Sequence, residues 1–75
     1  MSQAPQMAEV AALVGDPARA NILCALLGGR ALTAAELAEA AGVSAQTTSS
    51  HLGKLHGARL LALMKQGRHR YYRLA

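Results

Sequence analysis

Only Gly42 and Val43 separate the stretch LTAAELAEAA from a second helical stretch beginning at Ser44. This two-residue link limits the fold more than any other feature of the chain. Thr33, followed three residues later by Glu36, forms a capping box that opens the first stretch, and Gly42 ends it. Ser44 is a good N-cap for the next helix, which is expected to run to about Gly57. Two helices joined by so short a turn have little room to stack antiparallel. They are expected to cross steeply, leaving the second one projecting from the domain.

Two further helices precede this pair. Met7, Val10, Ala11 and Val14 follow the 3, 4, 7 spacing of an amphipathic helix closed by Gly15. In GDPARANILCALLGGR, Asp16 is the N-cap and Pro17 occupies the first helical position, where its missing N–H costs nothing. Leu23, Leu26 and Leu27 are the expected apolar stripe there, and Gly28-Gly29 the stop. Beyond residue 57 the pattern changes. Residues 60–64 and 69–74 are short runs separated by Lys65-Gln66-Gly67-Arg68, and Tyr71 and Tyr72 favour strand. A two-stranded hairpin with Gly67 in the turn is expected, its register left open by a weak Gln-Gly signal. The fold class is thus mostly α with a small β-hairpin, a winged helix-turn-helix of four helices and a two-stranded wing, forming one domain over residues 1–75.

The helix after Ser44 is informative face by face. Stepping about 100° per residue puts Thr48, Leu52 and Leu55 on one side. Gln46, Thr47, Ser50 and Lys54 fall on the other, with Gly53 beside them. The outward side thus carries short donors and acceptors, an amide and a cation, without a single carboxylate. Base edges and phosphates in a duplex groove call for those groups, and a polyanion would repel acids. A merely solvated helix of low propensity is the competing reading. Gly53 weakens the helix by up to about 1 kcal/mol against Ala, and its missing side chain permits close approach to a nucleic-acid backbone.

Charge distribution points the same way. Glu9, Asp16, Glu36 and Glu39 all precede residue 40, where Arg19 and Arg30 are the only cations, a net of −2. From residue 40 onward Lys54, Arg59, Lys65, Arg68, Arg70 and Arg73 face no acid, a net of +6. Such one-sidedness predicts a polyanionic partner. A chain of 75 residues builds only a small core, so oligomerisation is a natural source of added stability. The single Cys24 forms no internal disulfide, no run approaches the ~20 apolar residues of a membrane span, and residues 1–10 lack the form of a secretion signal. The cytoplasm is the expected compartment.

Together GDPARANILCALL, LTAAELAEAAGVSAQTTSSHLGKL and GRHRYYRL resemble the ArsR-type (arsenic-repressor-like) winged helix-turn-helix transcription regulators, over residues 8–75. The resemblance implies a homodimeric repressor of double-stranded DNA, commonly released by a metal ion or another signal. The fourth helix would be its recognition helix and the hairpin a wing along the phosphate backbone. It also implies a dimer interface at the first helix, through Met7, Val10 and Val14, normally shared with a C-terminal helix that lies beyond Ala75 here. The chain is therefore expected to be the leading part of a longer protein. Neither usual metal site of the family falls within residues 1–75: TAAELAEAAG holds no Cys or His, and the second site type belongs to the helix after the wing. Arg59 stands where the family usually has a glycine, which predicts a helix end that is either strained or shaped differently. The first wing strand reads Ala62-Leu63-Met64, apolar where the family is basic.

Phosphate contacts are assigned to Ser44, Lys54 and Arg68 and base discrimination to Gln46, Thr47 and Ser50, with Arg70, beside the turn, a further DNA-binding residue. No metal and no cofactor is expected. His51, at the edge of the buried stripe, reads as a packed, hydrogen-bonded histidine, and Cys24 as a buried small hydrophobe. Of the two tyrosines, one should face the core and one the surface. Two rival readings stand beside DNA binding. A winged-helix protein-interaction module is favoured by Leu63 and Met64 on the wing and opposed by the basic C-terminal half. The DNA-binding head of a larger effector-sensing or enzymatic protein would need sequence beyond Ala75, since no nucleophile–base pair, carboxylate pair or phosphate-cradling loop occurs here.

Overall fold

The computed structural model describes residues 3–75, with side chains from residue 7 onward; the first two residues of the expected domain lie outside it. Helix α1 (Gln3–Val14) is followed by α2 (Pro17–Ala25), α3 (Ala34–Ala41) and α4 (Ala45–Gly57), then strands β1 (Leu61–Gln66) and β2 (His69–Leu74). Each helix start after α1 is a side-chain cap. Asp16 accepts from the Ala18 and Arg19 N–H groups, and Ser44 from Thr47 N–H. Thr33 and Glu36 form the reciprocal box expected of them.

The core is built where these elements converge. Ile22 from α2 and Leu26 at its C-cap, Leu37 from α3, Leu52 and Leu55 from α4 and Leu61 from β1 are buried, together with Thr48. Full burial of an aliphatic side chain stabilises by about 1.5–3 kcal/mol, so this small set supplies much of the folding drive. One expectation for α2 fails. Leu27 is 60% exposed and Leu23 only half-buried, while Ile22 is fully inside. The helix ends at Ala25, and the core-facing pair is therefore Ile22 and Leu26, four residues apart and one above the other. Gly28 and Gly29 then turn the chain in left-handed conformations, with φ of 86° and 80°.

Both helix ends bordering α4 are left-handed stops. At α3 the residue is Gly42, φ 69°, and Val43 N–H donates to the Ala38 carbonyl at 3.2 Å. At α4 the same geometry falls on Arg59, φ 65°. Its N–H donates to the His56 carbonyl at 2.9 Å, and Leu60 N–H reaches the Leu55 carbonyl at 3.0 Å. Of the two helix ends expected at Arg59, the strained one is thus present.

The hairpin is tighter than its sequence suggested. Lys65 and Gln66 belong to β1, leaving Gly67 and Arg68 as a two-residue loop with Gln66 opposite His69. Positive φ at Gly67 alone (59°) is the II′ pattern, whose twist matches paired strands. The expected four-residue loop was too long because both flanking polar residues gain cross-strand partners. A further contact went unforeseen. Leu32 forms an antiparallel bridge with Tyr72, the two N–H···O bonds measuring 2.9 and 2.7 Å. Tyr72 is the tyrosine packed on the core. The bridge fixes β2 between β1 and residue 32, which seats the wing beside the helices.

Candidate nucleic-acid interface

Helix α4 turns its faces as its periodicity requires. Thr48, Leu52 and Leu55 are buried, while Gln46, Thr47, Ser50, Gly53 and Lys54 are all exposed. Ser44 is exposed too, but its hydroxyl is already engaged. It accepts from Thr47 N–H at 3.1 Å and donates to Thr47 Oγ1 at 3.0 Å. Gln46, Ser50 and Lys54 carry no hydrogen-bonded partner among the described residues, so their groups face solvent uncommitted. Lys54 lies in the last turn, where a cation also complements the helix dipole.

At the wing, Arg68 occupies the loop and Arg70 sits opposite Lys65, both exposed. Like charges directly opposite on a hairpin destabilise it, an arrangement that an anionic partner would relieve. Lys65 belongs with the wing cations although its sequence context suggested loop; only the register reveals the pairing. Strand alternation puts Leu63 with Tyr72 on the core side and Met64 with Tyr71 and Arg73 on the other. Arg73 Nε donates to the Met64 thioether at 3.3 Å. The Leu63–Met64 pair is therefore split between two faces and forms no common apolar patch on the wing.

An apolar surface lies along α1. Met7, Val10 and Val14 are 69%, 37% and 39% exposed, and the α1 residue packed on the core is Leu13. Val10 and Val14 line an open trough of about 370 Å³ together with Leu23, Cys24, Leu27, Leu60 and Leu74. Cys24 is exposed in this trough rather than buried, because it sits on the α2 face turned away from Ile22 and Leu26. Nothing in sequence periodicity distinguishes these two apolar faces of α2.

His51 is packed and hydrogen-bonded as expected, its side chain 12% exposed. It stands between Arg19 and Asp16. Asp16's carboxyl is held below its ordinary range, chiefly by the Arg19 N–H bond at the helix cap. Glu36 is lowered likewise, first by the Thr33 N–H. No three His, Cys, Asp or Glu side chains come together among the described residues, and no described helix is long and apolar enough to cross a membrane.

A tight turn into a helix with an outward polar face, backed by two helices and flanked by a basic hairpin, defines a winged helix-turn-helix domain. Residues 14–63 match the helix-turn-helix domain family, and the chain belongs to it. Within that family it is an ArsR-type winged-helix regulator domain. It is 32% identical to an ArsR-like transcriptional regulator from Rhodococcus sp. RHA1, covering 100% of this chain and 70% of that one with a TM-score of 0.85. It is 28% identical to the homodimeric winged helix-turn-helix DNA-binding domain of a possible ArsR-family regulator from Mycobacterium bovis (TM-score 0.85, 99% and 68% covered). An uncharacterized HTH-type transcriptional regulator of Bacillus subtilis, YdfF, is 49% identical over 71 residues. Those residues are 95% of this chain but 31% of the relative, so the chain spans about a third of that protein's length.

Proposed function

We propose that this domain regulates transcription as a repressor, binding double-stranded DNA as a symmetric homodimer. The observation that carries the reading is the outward side of α4, where Gln46, Thr47, Ser50 and Lys54 lie exposed with no carboxylate among them. In this reading α4 enters the major groove. Gln46 bonds an adenine edge, Thr47 and Ser50 contact bases or a thymine methyl, and Lys54 meets phosphate or guanine. Arg68, Arg70 and Lys65 carry the wing along the backbone. Ser44, its hydroxyl tied into the cap, contributes through the helix N-terminus.

The second copy covers the α1 face. Exposed Met7, Val10 and Val14 and the apolar trough beside them match the self-complementary patch that a two-fold interface needs. Two recognition helices then address half-sites about 34 Å apart. A DNA-regulating protein of this type works in the cytoplasm.

Selection of bound duplexes from a random pool, followed by titration at rising salt, tests the reading. Affinity should fall steeply with salt through counterion release. Gln46→Ala should relax preference at one base pair, by about 1–3 kcal/mol. Lys54→Ala should weaken all duplexes alike and lower the salt slope by about one. A dimer that ignores duplex DNA at low ionic strength would refute the proposal.

A further inference from the structure

Three elements meet at one guanidinium. Arg19 Nε donates to the Leu13 carbonyl at 2.7 Å, and Nη2 to the Ala12 carbonyl at 3.4 Å. Those carbonyls belong to the last turn of α1, which has no basic residue of its own to satisfy them. Nη1 of the same group lies 3.3 Å from His51 Nδ1 on α4. A guanidinium has donors and no acceptor. As a hydrogen bond the contact needs a lone pair on Nδ1, which the neutral ring with its proton on Nε2 supplies. That second nitrogen lies 3.9 Å from Asp16 Oδ1, beyond hydrogen-bond length but within reach of a small ring rotation.

Arg19 thus ties the helix carrying the exposed apolar face to the helix carrying the exposed polar one. We propose that Arg19 is a positioning residue for DNA recognition and that His51 is its proton-dependent latch. With the ring neutral, Arg19 fixes α4 against the end of α1. With the ring protonated, Nδ1–H confronts guanidinium N–H groups, that contact is lost, and the imidazolium turns to Asp16. The charged groups facing the ring are Arg19 and Asp16, both from the start of α2. From the described residues of α1 come the two carbonyls held by Arg19, and Lys54, on α4 itself, is exposed. The proposal rests on the DNA-binding reading above. Its sign is distinctive: added positive charge by itself tightens binding to a polyanion, whereas release of this latch loosens it.

Imidazole is the side chain that changes charge between pH 5 and 8, so the test is duplex affinity of the intact protein at about pH 7.5 and about pH 5.5 at fixed ionic strength. His56 and His69 are imidazoles too, and both are exposed. The readout is therefore the difference between the wild-type protein and His51→Gln, which keeps an acceptor for Arg19 and takes up no proton. Wild-type affinity should fall about tenfold relative to His51→Gln, the factor for losing one charge-assisted hydrogen bond. Arg19→Lys, without the fork that spans both helices, should abolish that difference and narrow the gap between specific and random duplexes. Ring nitrogen shifts of the DNA-free protein give an independent check, with Nδ1 expected to be unprotonated at the higher pH. Equal pH responses in the two proteins, or a proton on Nδ1 at the higher pH, overturn the latch while leaving DNA binding intact. Failure of both proteins to bind any duplex at the higher pH overturns both.

Discussion

Replacing Arg59 by glycine should stabilise this domain, although it removes a side chain and adds backbone freedom. Arg59 sits at φ 65° in the stop that ends α4, its N–H on the His56 carbonyl and the next N–H on the Leu55 carbonyl. An L-residue in this left-handed region brings Cβ too close to the following carbonyl oxygen, at about 1–2 kcal/mol. Glycine escapes that clash but loses about 0.5–1 kcal/mol more in conformational entropy on folding. The difference is a net gain of roughly 0.5–1 kcal/mol. For a chain this short it corresponds to a rise in Tm of about 2–8 °C. The side chain itself is exposed and makes no hydrogen bond among the described residues, so its removal breaks no bonded contact there. Scanning calorimetry at a fixed protein concentration reads the effect, since any self-association would make Tm concentration-dependent. Arg59→Ala separates the causes, because it deletes the guanidinium and keeps the strained Cβ. Equal shifts for alanine and glycine, or a Tm below wild type for glycine, would refute the backbone explanation.

Three other outcomes are expected. Thr48 is fully buried and its hydroxyl has no partner among the described residues, so the isosteric Thr48→Val should stabilise the fold by about 1–2 kcal/mol and raise the denaturant midpoint; a lower midpoint would mean that the hydroxyl is satisfied. Among the described residues nothing lies within 4 Å of a Cβ built on Gly53, so Gly53→Ala should stabilise α4 by up to about 1 kcal/mol yet weaken duplex binding, and unchanged binding would refute close approach at this position. Asp16 and Glu36 have lowered carboxyl values in the fold. Their stabilisation is therefore complete above the ordinary carboxylate range of about 4 and is lost as pH falls through the lower folded values. Asp16→Asn and Glu36→Gln should each flatten the acid side of a stability–pH curve, and an unchanged curve in both would remove these caps from the explanation.

Local signals carried most of the fold. The Thr33–Glu36 box, Gly42 and the Ser44 cap bounded α3 and α4 correctly because capping involves residues within one turn of each other. The two sides of α4 were legible for a similar reason: helical periodicity assigns Thr48, Leu52 and Leu55 to one face and Gln46, Ser50 and Lys54 to the other wherever the helix is placed. The strain at Arg59 was also visible, through a residue type that family resemblance marks as out of place.

Sequence by itself therefore determined the element order, the caps and which groups α4 turns outward, since each follows from neighbours along the chain. The tertiary structure alone decided the rest. Whether Ile22 or Leu27 is buried, and whether Cys24 is covered, depends on which side of α2 meets α3 and α4. The Leu32–Tyr72 bridge joins residues 40 positions apart, and Arg19 and His51 meet across 32. Such contacts arise only when packed helices bring distant backbone and side chains together, and no periodicity along the chain encodes that distance.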